Sequence, residues 1–121
     1  MQIYRLAEQP VFDGGDGTVL RELFHPDHDS VDVRYSLAHA TLAKGEKTLL
    51  HRLKTVEVYY ILAGHGKMHI EDDVQDVFPE EVVYIPANTV QWIENVGTSD
   101  LVFLCLVDPA WKVEDEEILP S

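Results

Sequence analysis

The strongest constraint in this chain is a recurrence of short β-rich stretches, each closed by turn residues. They fall at residues 18–23, 31–42, 48–53, 56–62, 67–71, 74–78, 82–85, 90–94 and 101–107. The punctuation between them includes Asp13-Gly14-Gly15-Asp16-Gly17, Ala43-Lys44-Gly45, Gly64-His65-Gly66, Asp72-Asp73, Pro79-Glu80, Pro86-Ala87-Asn88 and Asn95-Val96-Gly97. Strands of that length at that spacing predict an all-β sandwich or barrel. Pro86 ends the Val82-Val83-Tyr84-Ile85 stretch, because proline cannot donate to a ladder. No segment sustains a 3.6-residue apolar period. Only the tail, 109–119, offers a short helix, with its acids on a solvated face.

The chain has 121 residues, 45% of them apolar, which fits one domain. The expected organisation is an N-terminal arm over about 1–30, a barrel over about 31–108 and an acidic tail over 109–121. Twenty-two acidic against nine basic residues give a net charge of −13. That balance argues against nucleic acid or an anionic membrane as partner, since phosphate binding needs clustered Lys and Arg. The acidity is lopsided: residues 1–60 carry −2 and residues 61–121 carry −11. The second-half acids fall in expected loops and in the tail, so they read as a solubility coat.

The start of the chain has no apolar signal region. The longest apolar run, 101–107, is seven residues, far short of the ~20 a membrane helix needs. The single Cys105 allows neither an internal disulfide nor a CxxC site. A cytoplasmic protein is the expectation. Dinucleotide, P-loop, esterase-elbow and zincin motifs are absent from the sequence.

The informative segment runs from Gly45 to Gly64. In a strand His51 and Leu53 share one face, and Glu57 returns to the same interior if a tight turn lies near Lys54-Thr55. This arrangement resembles the first motif of the cupin family: a glycine, two histidines, a glutamate and a closing glycine. Gly45, His51, Glu57 and Gly64 fall in register, and Leu53 stands at the second histidine. Residues 80–95 resemble the second cupin motif. Pro86 and Asn95 match, Glu80 and Asn88 replace its two glycines, and Gln91 replaces its histidine. Asparagine is the residue that best tolerates a left-handed turn after glycine.

The resemblance implies a cupin double-stranded β-helix, a small antiparallel barrel of jelly-roll type, and a homodimer. It also implies a divalent metal (Zn, Mn, Ni or Fe) inside the barrel, held here by His51, Glu57 and Gln91. Leucine cannot ligate, and an amide oxygen is a weak neutral donor, so this set binds less tightly than three imidazoles and a carboxylate. Without a metal the same three residues would have to satisfy one another as a buried polar trio, His51 paired with Glu57.

Other residues have plainer readings. His25 and His28 could reach a barrel mouth as replacement ligands, but Pro26 and the neighbouring aspartates read as a loop with solvated histidines. His39 is expected to face outward and His65 to be exposed in its turn. The face of His69 is open. Tyr59 should point inward by parity with Glu57, where its phenol could act as an acid or simply pack in the core. Cys105 reads as an inert buried thiol.

Two functions follow. One is a metal-assisted enzyme on a small polar molecule, of isomerase, lyase or dioxygenase type, using His51, Glu57 and Gln91 for the metal and Glu57 and Tyr59 in catalysis. The other is a metal-free binding or sensing module built on the same residues. Only two ligand positions have changed, which favours the first. Fold alone decides neither.

Overall fold

The computed structural model describes residues 1–14 and 16–120. Among them eleven strands are formed: β1 (Val11–Asp13), β2 (Val19–Phe24), β3 (Ser36–Leu42), β4 (His51–Leu53), β5 (Val56–Ala63), β6 (Gly66–Ile70), β7 (Asp73–Val77), β8 (Val82–Ile85), β9 (Gln91–Asn95), β10 (Leu101–Asp108) and β11 (Glu116–Ile118). They build two sheets, one ordered β1-β2-β3-β10-β5-β8 and the other β11-β4-β9-β6-β7. Every pairing is antiparallel. The all-β expectation and the barrel architecture hold.

Side chains alternate between the interior and the outer face, as the pleat requires. Along three neighbouring strands the interior residues change character in the same direction. On β10 they run Leu101, Phe103, Cys105, Val107; on β3, Leu42, Ala40, Ala38, Ser36; on β5, Ile61, Tyr59, Glu57. The registers Leu101↔Leu42, Phe103↔Ala40 and Cys105↔Ala38 align the first two series. Phe103↔Ile61 and Val107↔Glu57 align the third. The apolar ends join Met68, Val77, Ile85 and Ile93 in a single core. The polar ends leave a cavity. Tyr59 and Phe103, with ring centroids 4.4 Å apart, stand at the boundary.

The turns that close this frame need a left-handed backbone, and the sequence supplies it. Gly45 and Gly64 have φ of +79° and +92°. A Cβ on Gly64 would lie 2.6 Å from the Asp100 carbonyl oxygen, so glycine is required there. Glu80 and Asn88 keep the left-handed conformation, with φ of +74° and +64°. Asn95 secures the turn after β9: its amide donates to the carbonyls of Leu42 (3.0 Å) and Ser99 (2.8 Å), and its oxygen accepts the Gly97 N–H.

At the N-terminal end β2 falls on the expected stretch 18–23, and an unexpected strand, β1, pairs with it at the edge of the six-stranded sheet. Residues 31–35 do not join β3, whose pairing starts at Ser36. The tail is not a helix. A single 3-10 turn at Val113–Asp115 leads into β11, which pairs with β4 through Glu116↔Leu53 and Ile118↔His51. Main-chain bonds from Ala110 to Arg34 and from Leu119 to Leu50 hold the tail down along its length.

Candidate functional site

The cavity at the polar end has a volume of about 250 Å³, below the ~300–1,000 Å³ typical of drug-sized ligands. Phe103, Val107, Leu53 and Trp111 give it apolar walls, and His51, Glu57, Tyr59 and Cys105 bring polar atoms to it. Five acidic residues line it (Asp13, Asp16, Glu22, Glu57 and Glu116), and the described lining has no Lys or Arg.

Glu57 is 5% exposed, and a donor holds each of its carboxyl oxygens. The Gln91 amide donates to Oε1 at 2.8 Å, and the Cys105 thiol donates to Oε2 at 2.7 Å. Gln91 in turn accepts the Tyr59 hydroxyl at 3.3 Å. Burial raises the Glu57 pKa, outweighing the Cys105 hydrogen bond, the charge of His51 and the Gln91 bond, which all favour the carboxylate. Burial, with Glu57 nearby, also pushes the phenol of Tyr59 and the thiol of Cys105 well above their ordinary values. Both therefore act as proton donors in hydrogen bonds, and Cys105 is not an activated nucleophile.

His51 is 2% exposed. Its Nδ1 lies 2.7 Å from the Leu49 carbonyl oxygen. A carbonyl can only accept, so Nδ1 carries a hydrogen, and in the neutral ring Nε2 presents its lone pair. Nε2 forms no hydrogen bond among the described residues; its neighbour is Asp16 Oδ2 at 3.8 Å. Asp16 is fixed by Thr18, whose N–H and hydroxyl both donate to Oδ1, at 3.1 and 2.6 Å. Glu116 comes from β11. Its register opposite Leu53 puts it on the His51 face, where burial raises its pKa against the opposing charge of His51. Donor atoms of Asp16, His51 and Glu116 lie within 4.8 Å of one another.

The expected site residues therefore share the barrel interior but divide into two groups. Leu53 faces inward beside His51 and carries no donor atom. Gln91 sits opposite His51 in the β4–β9 register, yet both ends of its amide are committed to Tyr59 and Glu57. No ion pair joins His51 and Glu57 among the described residues. At the four positions of the cupin ligands, Leu53 carries no donor atom, Gln91 and Glu57 bond each other, and His51 Nε2 makes no hydrogen bond among the described residues.

The remaining histidines lie elsewhere. His25 is buried rather than solvated. Its Nδ1 accepts the Asp27 N–H, so Nε2 donates to the Trp111 carbonyl at 2.7 Å, tying the N-terminal loop to the tail. His28 is exposed and pairs with Glu22 at 2.7 Å. Neither lines the cavity. His65 is half-buried, stacked on Phe78 with centroids 4.4 Å apart. His69 stacks on Trp92 and bonds Glu94 at 2.9 Å, which places it on the outer face. His39 is partly buried between its neighbours on β2 and β10. Asp16 and Glu116 were not foreseeable as site residues: no spacing connects them to His51, and the pairing of β11 with β4 is what brings the tail carboxylate inside.

Residues 38–107 match the family model described as a cupin domain. A protein of Methanocaldococcus jannaschii, itself uncharacterized, is 43% identical over 86% of this chain and 83% of its own length. The mannose-1-phosphate guanylyltransferase of Escherichia coli is 27% identical over 96% of this chain, which spans only 26% of that enzyme. Among solved structures, Streptomyces Pac13 with uridine superposes with a TM-score of 0.78 at 16% identity, over 99% of this chain and 92% of Pac13. The oxalate decarboxylase OxdC of Bacillus subtilis gives 0.81 at 24% identity, over 96% of this chain and 31% of that one. With the motif turns, the two-sheet barrel and the inward His51 and Glu57 all in place, the chain belongs to the cupin domain family.

Proposed function

We propose that this chain binds a small neutral or cationic polar molecule in the barrel cavity and transfers a proton on it, with Glu57 as the proton carrier. The observation that carries this reading is Glu57 itself: a buried carboxyl on the cavity wall, fixed by two donors, whose pKa burial raises. A carboxyl so placed takes up a proton more readily than one in water, as general acid–base catalysis requires. Gln91 and Cys105 orient it, and Tyr59 steadies Gln91 while presenting a protonated phenol at the wall. Isomerisation and lyase-type elimination, two of the reaction types the family resemblance admits, depend on such transfers. Pac13 is described as a nucleoside dehydratase, and its fold likeness supports small-molecule chemistry in such a barrel without selecting a reaction.

The acidic lining favours neutral or cationic ligands, since a buried anion beside these carboxylates would be strongly disfavoured. The test is ligand-observed NMR with a panel of small polyols, hydroxy ketones and amines in D₂O. Binding accompanied by deuterium incorporation into the ligand, lost in Glu57→Gln while binding persists, is the expected result. Binding without exchange would assign the barrel to the binding or sensing class. Absence of binding across neutral and cationic members would overturn the reading.

The expected homodimer is supported by the outer face of β5 and β8. Tyr60, Leu62, Val82 and Tyr84 are 37%, 41%, 62% and 60% exposed, and the Tyr60↔Val82 register makes them neighbours. β8 is also a sheet edge, and both an apolar patch and a free edge favour pairing. Sedimentation velocity should give a dimer that Tyr84→Glu dissociates; a monomeric wild type would refute it. A lone thiol bonded to a carboxylate suits the reducing cytoplasm.

A further inference from the structure

The geometry points to a divalent first-row metal site formed by Asp16, His51 and Glu116, in which carboxylates from the two ends of the chain join the one motif histidine. It rests on the barrel cavity being the functional site, as proposed above.

Three independent features converge. The first is His51. Its ring is almost wholly buried, its Nδ1–H is anchored on the Leu49 carbonyl, and its Nε2 makes no hydrogen bond among the described residues, facing Asp16 Oδ2 at 3.8 Å. A ligating histidine is usually fixed in this way, with the far nitrogen donating to a carbonyl so that the tautomer and ring orientation are set.

The second is the donor set. The three ligand atoms lie within 4.8 Å of one another, and His51 Nε2 stands 3.8 Å from Asp16 Oδ2. Metal–nitrogen and metal–oxygen bonds of ~2.0–2.2 Å place adjacent ligands of one ion roughly 3.0–3.5 Å apart, so an ion needs only a small inward closure. Thr18 holds Asp16 Oδ1 and leaves Oδ2 turned toward His51. One imidazole and two carboxylates suit Mn²⁺ or Zn²⁺, with water or substrate completing the shell.

The third is position. β11 pairs Glu116 with Leu53, so a carboxylate arrives beside the position where the motif has lost its second imidazole. Asp16 reaches His51 from the loop between β1 and β2. One buried and one half-buried acid beside the His51 Nε2, in a cavity whose described lining has no Lys or Arg, favour a cation between them. Glu57, bonded to Gln91 and Cys105, remains free of the ion and available for proton transfer.

The test is metal binding itself. Protein stripped with EDTA is titrated with Mn²⁺ and followed by electron paramagnetic resonance of the free ion, then with Zn²⁺ by calorimetry. About one ion per chain is expected, with affinity falling tenfold or more in both Asp16→Asn and Glu116→Gln and changing less than threefold in Glu57→Gln, a contrast expected of direct ligands. No stoichiometric binding, or equal affinity in wild type and Glu116→Gln, overturns the site. Glu116→Gln lies at a half-buried position on a mostly exposed terminal strand, so it keeps the test decisive if Asp16→Asn fails to fold. A protein that exchanges ligand protons but binds no metal would refute the metal site and leave the proposed function standing. The reverse result would separate them the other way.

Discussion

Replacing Gln91 with alanine would break two hydrogen bonds of the buried network and leave Cys105 as the remaining donor to Glu57. The first loss is the 2.8 Å bond from the amide to Glu57 Oε1. A hydrogen bond to a charged group contributes ~1.5–3 kcal/mol, against ~0.5–1.5 kcal/mol for a neutral one. The second is the acceptor of the Tyr59 hydroxyl, whose 3.3 Å separation is long for an O–H donor, placing it at the low end of the neutral range. Both abandoned groups are buried at the cavity wall. A loss of ~2–4 kcal/mol is expected, or roughly 8–16 °C in Tm for a chain of this length. In a Glu57→Gln background the same replacement breaks only neutral hydrogen bonds and should cost ~1–1.5 kcal/mol. The double-mutant cycle therefore predicts a coupling of ~1–2 kcal/mol between positions 57 and 91. Urea unfolding of the four proteins, followed by tryptophan fluorescence at neutral pH with EDTA present, measures it. A Gln91→Ala cost below ~1 kcal/mol, or the same cost in both backgrounds, would refute the view that Gln91 serves as the anchor of a charged Glu57.

Further outcomes follow from the same packing. Phe103→Ala, at the wall between core and cavity, should cost ~3–5 kcal/mol in chemical unfolding; a small effect would mean the core does not close against Tyr59. Glu80→Gly should raise stability by ~0.5–1 kcal/mol, because it relieves a side chain held at φ +74°, and a thermal melt reads the gain. Glu57 also leaves a mark on the pH dependence. Its folded pKa lies above the unfolded one, so the folded state holds the extra proton between the two values. Stability is then greatest below the unfolded pKa and falls as pH rises through the folded pKa. Subtracting the stability–pH curve of Glu57→Gln should reveal that fall, and a difference curve that is flat or rising would contradict it.

Much of the frame is legible from sequence because it depends on local chemistry. Val82–Ile85 lies between Pro79-Glu80 and Pro86, and the strand found there has those bounds. The left-handed turns at Gly45, Gly64 and Asn88 announce themselves through residues that tolerate positive φ, whereas Glu80 does so only through its place in the motif. Parity from Glu57 correctly puts Tyr59 inside. The ends of the chain are not legible in this way. β1 and β11 are three residues each, mostly exposed, and become strands only because β2 and β4 offer them an edge. Asp16 and Glu116 inherit that difficulty: as members of an acidic loop and an acidic tail they look like solvated charge, and a tertiary register turns them inward. Cys105 is inert as a nucleophile, as its setting suggests. Its bond to Glu57 spans 48 residues and has no local sign. The lopsided acidity is thus mostly a solvated coat: five carboxylates line the cavity, and only one of them, Glu116, comes from the strongly acidic second half.

The protonation midpoint of the Glu57 carboxyl tests the proton-transfer reading most directly. Carboxyl carbon-13 NMR of metal-free protein follows it through a pH titration, and the resonance missing from Glu57→Gln assigns it. A midpoint above the ~4.3 of a free glutamate side chain is predicted, because burial outweighs the bonds from Cys105 and Gln91 and the charge of His51. A midpoint at or below that value would contradict it, leaving Glu57 a permanently ionised structural group with no proton to exchange.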